Sequence, residues 1–145
     1  MKKIVIKNAL LLFLVAVVIV SGYSMVFSRN KICIVADEST FSDFYIENNV
    51  VGVHCIVTLY NSYFSDMKVG LTAFMQKDVE SGLLKEARLP GINRDDSLSY
   101  FILKANSTST FHVVFTGKYN GNNQKADRML PEIVIETHSE WTGRE

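Results

Sequence analysis

Two cysteines, three histidines and one tryptophan are the residues of this 145-residue chain whose types most readily do chemistry. Cys33 and Cys55 are the only thiols. An even count in an oxidising compartment predicts a disulfide. Closing that loop of roughly 22 residues would stabilise the fold by about 3 kcal/mol. The alternative is two buried, reduced thiols on neighbouring strands, because Cys55 falls on the apolar face of its segment. No C-x-x-C pair exists to lower a thiolate pKa, which argues against redox catalysis. His54 adjoins Cys55, yet neighbours in a strand point to opposite faces and cannot converge on one metal ion. His54 and His112 each lie opposite an apolar stripe and would meet only if their strands pair. Together with His138 they read as surface histidines.

Other chemistry is sparse. Ser24, Ser65, Ser81 and Ser107 lack the G-x-S-x-G context of an activated serine. The chain has no P-loop, no G-x-G-x-x-G and no H-E-x-x-H. The acidic pairs Asp37-Glu38 and Asp95-Asp96 sit in polar, turn-like stretches and read as solvated charge. Asn106-Ser107-Thr108 matches a glycosylation sequon, a pattern common by chance. Trp141, in the polar tail HSEWTGRE, is either a contact point for a partner or a tail residue folded back on a sheet. No catalytic residue, metal or cofactor is expected, and the protein is not expected to be an enzyme.

Period-two alternation dominates the chain beyond residue 31. Val51, Val53, Cys55, Val57 and Leu59 line one face of a strand; Met67, Val69, Leu71, Ala73 and Met75 line another. Phe111, Val113 and Phe115 form a third stripe. Leu98, Tyr100 and Ile102 alternate with Ser99, Phe101 and Leu103, which predicts a central strand apolar on both faces. Ile133 and Ile135 alternate with Glu132, Val134 and Glu136, the pattern of an edge strand with a charged outer face. That edge makes Ile133 and Ile135 candidate partner contacts through strand addition. Residues 31–37 form a shorter strand candidate. Turn signals fall at Asn48-Asn49, Asn61-Ser62, Pro90-Gly91, Asn106-Ser107 and around Gly121. Residues 78–88 are ambiguous between helix and strand, and Ser81-Gly82 tips the reading to strand. Residues 38–45 read as a loop or a single helical turn. The expected core is Val51, Val53, Val57, Leu59, Val69, Leu71, Ile102, Phe111, Val113, Phe115 and Ile133. The fold class expected is mostly β, an antiparallel sheet or sandwich with α+β as a variant, preceded by one amino-terminal transmembrane helix.

That helix is expected over residues 8–27, a run of 20 without a charge. At 1.5 Å per residue such a helix matches a hydrocarbon core of about 30 Å. Lys2, Lys3 and Lys7 precede it, which favours a cytoplasmic amino terminus. Residues 1–7 are then a short cytoplasmic segment, and residues 28–145 a β-rich domain in the periplasm. The alternative is a cleaved signal peptide ending near Gly22. Met25, Val26 and Phe27 keep the chain apolar beyond that point, which suits a retained anchor. Both readings place the domain outside the cytoplasm. The 15 basic and 15 acidic groups are unevenly spread, since five of the bases and none of the acids lie within residues 1–31. The excess of acid on the remainder argues against nucleic-acid binding.

A basic start, one apolar span, a cysteine-containing strand soon after it (KICIVADESTF) and a small β-rich exported domain follow one another here. In that layout the chain resembles the FidL-like family of small inner-membrane proteins of enteric bacteria. VGVHCIVTLY and DVESGLLKEARLPGI are similar in general character to the family's central strands. The resemblance implies a bacterial inner-membrane location and an association with ToxR-like regulators, which pair a cytoplasmic winged helix with one span and a periplasmic sensor. The expected partners are therefore the lipid bilayer and a single-span membrane regulator. The chain would be an accessory protein that binds and modulates that regulator. A minor component of a cell-surface or secretion assembly is the alternative.

Overall fold

A computed structural model describes residues 31–122 and 129–143, with the side chains of residues 137 and 138 left out. The expected membrane span lies outside these residues. Among the described residues no helix is long and apolar enough to cross a membrane.

Strand β3 (Val50–Asn61) organises one half of the sheet. Its stripe of Val51, Val53, Cys55, Val57 and Leu59 is buried, as β-branched residues on a pleated surface favour. Along one edge it pairs antiparallel with β7 (Ser107–Lys118), from Val50↔Lys118 to Asn61↔Ser107. Its other edge is shared end to end by two shorter strands, β1 (Ile32–Ile34) and β2 (Thr40–Glu47). Between them the chain bulges out in a 3-10 turn, Ala36–Glu38. Thr58 would lose its ladder partners there. Instead Val35 N–H donates to its carbonyl at 2.8 Å, and Ser39 Oγ accepts from its N–H at 3.0 Å. Asn48 and Asn49, at φ 50° and 66°, close the β2–β3 hairpin. A two-residue loop with both residues left-handed matches the twist of the flanking strands.

Strand β4 (Met67–Phe74) repeats the plan in the other half. β8 (Glu132–Glu140) pairs along the whole of one edge. The opposite edge is shared by β6 (Phe101–Leu103) and β5 (Arg88–Asn93). β5 joins the halves by changing partner midway: Pro90 pairs with Thr72 of β4, and Gly91 with Phe115 of β7. All pairings are antiparallel, and the eight strands form one curled sheet around an apolar core.

Several expectations fail here, each for a non-local reason. Residues 38–45, read as a loop or a single helical turn, run mostly as strand β2 against β3. The central strand read over 98–103 is the three-residue β6, whose one strand partner among the described residues is β4. Pro90-Gly91, read as a turn, lies inside a strand. Proline lacks an N–H and fits where a strand changes partner. A Cβ on Gly91 would stand 2.8 Å from the Phe115 ring and 3.0 Å from Val113 Cγ1, so only glycine allows the approach. Residues 78–88, read as strand, hold a short helix instead, α1 (Gln76–Glu80). Gly82 at φ 80° ends that turn, and Leu83 and Leu84 drop into the core. In the stretch around Ile102 the buried residues are Phe101 and Leu103, while Ile102 faces outward and is half-buried. A segment apolar on both faces does not announce its parity; the pairing Val69↔Phe101 decides it. The remaining expected core residues are buried, except Phe111 and Ile133, which pack partly buried against the cluster.

Candidate functional site

The candidate sites are surfaces. β8 is an edge strand: among the described residues β4 is its one strand partner. Ile133 and Ile135, expected to meet a partner, instead turn inward opposite Ala73 and Leu71 and pack against the core. What the edge offers is its backbone and its outward residues. Glu132 and Glu136 are exposed on the outer face with Val134 half-buried between them, while Glu140, also exposed, pairs with Met67 and falls on the other face. A bulge at Glu136, where the register shifts opposite Gly70 and Leu71, interrupts the ladder. Charge of one sign on an edge discourages pairing with a second copy. The opposite edge is broken into β1 and β2 by the outward 3-10 turn, and by a bulge between Phe41 and Asp43.

The second surface lies at the end of the sheet where the chain enters β1. Ile32 pairs with Asn61 at the close of β3, so the start of β1, the 62–66 turn, the 104–106 turn and the tail after β8 share this end. Asn61 is fully buried and holds the turns together. Its Nδ2 donates to the carbonyls of Ser65 and Lys104, both at 3.0 Å, and of Leu103 at 3.4 Å. Its Oδ1 accepts from Tyr63 N–H at 2.9 Å. Asn106 N–H donates to Tyr63 O at 2.8 Å, tying the two turns directly. Phe64, at the tip between these anchors, is 80% exposed.

Asp66 closes the cluster. Lys104 Nζ donates to its Oδ2 at 2.7 Å, and Ala105 N–H to its Oδ1 at 2.9 Å. Those two bonds hold its carboxyl below the usual carboxylate range, the Lys104 bond contributing most. Trp141 N–H donates to Asp66 O at 2.7 Å, so the tail folds back on the sheet. Its ring lies 6.2 Å from that of Tyr100. Lys68 Nζ stands 4.0 Å from the Tyr100 centroid and 5.5 Å from that of Trp141, a cation on two aromatic faces.

The other residues of interest are scattered. Cys33 lies opposite Tyr60, half-buried on the outer face, whereas Cys55 faces the core between Phe41 and Val113. Opposite faces and different positions along β3 leave both thiols free, so the expected disulfide does not form in this fold. Burial pushes the Cys55 thiol up to about 12. His54 and His112 do share the outer face, diagonally, since His54 pairs with Val114 and His112 with Ile56. His54 packs edge-on against Tyr45 with centroids 5.4 Å apart. Among the described residues no three of His, Cys, Asp and Glu are placed to hold a metal ion. Asp95 and Asp96 serve a local turn, where Asp96 Oδ1 accepts from Leu98 N–H at 3.0 Å. Ser65 and Lys68 do have the S-x-x-K spacing of some serine hydrolases, contrary to the expectation that the exported part holds none. Ser65 Oγ donates to Met67 Sδ at 3.8 Å, and the Lys68 ammonium rests on Tyr100.

Sequence reasoning missed Asn61, Phe64 and the Lys68–Tyr100 pair. Asn61 had a usable signal: it continues the parity of Val57 and Leu59, so a polar amide was due on the buried face. The chain matches no family model, and neither a curated protein nor a solved structure is similar to it.

Proposed function

We propose that this chain is a membrane-anchored accessory protein whose exported β domain binds and modulates a single-span membrane regulator. The open edge of β8 carries the reading. Among the described residues, alternate residues of this nine-residue strand aim their backbone N–H and C=O groups away from β4, and a partner strand can satisfy them by strand addition. Glu132 and Glu136 on its outer face, the latter 3.8 Å from Arg88, favour a strand bearing Lys or Arg. Residues 8–27 supply the anchor, on the strength of their length and apolarity. Confinement of both partners to one membrane raises their effective concentration, so a small contact suffices.

The test is a photo-cross-linking amino acid at Glu136 of the full chain in cells, with a control at Asn48 on the β2–β3 turn. An adduct from Glu136 alone, containing a membrane protein with one span and an exported domain, is expected. Absence of any adduct overturns the proposal. Adducts with chaperone, usher or pilin subunits overturn the regulator reading in favour of a component of a surface assembly.

A further inference from the structure

The position of Phe64 is unusual for a side chain of its kind. A large aromatic held 80% exposed on a turn fixed by a buried asparagine is presented rather than merely tolerated. Isolated exposed apolar residues are ordinary, and Met129, ahead of β8, is equally exposed. Phe64 differs in its neighbours. Tyr63 and Trp141 lie half-buried in the same end of the sheet, with Tyr100 against Trp141. The bases there are Lys68 and Lys104; the acids are Asp66, bound by Lys104, and Glu140. Aromatic rings with lysines among them are the composition of side chains that settle at a membrane–water interface.

Chain connectivity supplies an independent argument, which rests on the reading of residues 8–27 as a membrane span. Four residues, 28–31, separate that run from Ile32. Fully extended they reach about 14 Å. Ile32 pairs with Asn61, the residue that anchors the Phe64 turn. The end bearing Phe64 is therefore tethered within reach of the bilayer. The Asn48-Asn49 turn, at the other end of the 12-residue β3, lies roughly 35 Å further along the strand.

We infer that the Phe64 turn docks on the bilayer itself, its ring entering the boundary between headgroups and acyl chains on the exported side, with Trp141 and the lysines around it at headgroup level. The domain then stands on its chain-entry end, with β3 directed away from the membrane. Phosphatidylglycerol or another anionic lipid suits the lysines.

The experiment uses the full chain in vesicles of phosphatidylcholine and phosphatidylglycerol, some lipids brominated near the headgroup end of the acyl chain. In a Trp141→Phe background, one variant carries Phe64→Trp and the other Glu86→Trp, an exposed site near the far end. Flotation of the vesicles first establishes membrane association. The expected result is a blue-shifted Phe64→Trp emission, quenched roughly twofold or more by brominated lipid, against little change for Glu86→Trp. Equal, weak quenching of both in chains that float overturns the docking and leaves the anchor intact. Chains that do not float overturn both. Phe64→Trp unquenched by lipid, but cross-linked to a protein from that position in cells, overturns the lipid assignment. Phe64 and Glu86 are exposed and Trp141→Phe is common to both variants, so matching circular dichroism is expected and excludes misfolding as the cause of a difference between them.

Discussion

The two ends of the sheet turn the chain by different physics, though asparagine serves at both. At the far end Asn48 and Asn49 work through the backbone, adopting left-handed conformations that most side chains resist. Exposed charges surround them, among them Glu47, Lys118 and Glu86. At the chain-entry end Asn61 works through its side chain, buried and bonded to four backbone groups. A conformational turn needs no particular surroundings. A turn held by a buried amide depends on its polar partners being in place, and it can hold a neighbour such as Phe64 out in solvent. The first kind suits a solvent-facing hairpin, the second a surface that must keep its shape.

Substitutions separate the two mechanisms. Asn61→Ala leaves three carbonyls and one N–H without their partner inside the fold, so a loss of about 3–5 kcal/mol is expected in urea unfolding. A loss under about 1 kcal/mol would show that water replaces the amide and that no clamp exists. Asn49→Val puts a β-branched side chain at φ 66° and is expected to cost about 1–2 kcal/mol. Asn49→Gly should be neutral or stabilising by up to about 1 kcal/mol, because the far turn uses only the backbone. A comparable loss from Asn49→Gly and Asn61→Ala would erase the distinction.

The thiols sharpen the same contrast between interior and surface. Native protein should take one thiol label, at Cys33, and a second only on unfolding, with no change in gel mobility on reduction. With its pKa raised to about 12, Cys55 favours the fold below the ordinary thiol value of 9.0, and that contribution fades as pH climbs from there. Rapid labelling of Cys55 in native protein would contradict its burial. Asp66 gives the smallest effect. Its lowered pKa contributes stability that is present above the ordinary carboxylate value and lost as pH falls through the folded one. Asp66→Asn should therefore flatten the acid side of the stability profile slightly; an unchanged profile would mean that solvent already screens the Lys104 pair.

Much of this architecture was legible in the chain. The alternation in residues 51–59, 67–75 and 111–115 placed three of the longest strands and most of the core, because a period of two admits one buried face. Glu132 and Glu136 beside Ile133 and Ile135 marked the edge strand. The surface residues were harder. Whether Trp141 met a partner or the sheet depended on the carbonyl of Asp66, far away in sequence. The exposure of Phe64 depended on an amide three residues earlier that looked like part of an ordinary turn.

Even the cysteines were half-readable. Ile32 and Ile34 put Cys33 on the face opposite theirs, while Cys55 shares a face with Val53 and Val57. What the pattern lacked was the pairing Ile34↔Leu59, which sets β1 against β3 and turns two parities into opposite sides of one sheet. The amino-acid order by itself determined the strands over 51–59, 67–75, 111–115 and 132–136, their apolar faces and the asparagine hairpin, since these follow from side-chain alternation and local backbone preference. Tertiary structure alone decided the strand through Pro90 and Gly91, the inward parity of Phe101 and Leu103, and the gathering of Asn61, Phe64 and Trp141 at one end. Each depends on which distant strand supplies the hydrogen bonds and the packing, and no local sequence pattern carries that information.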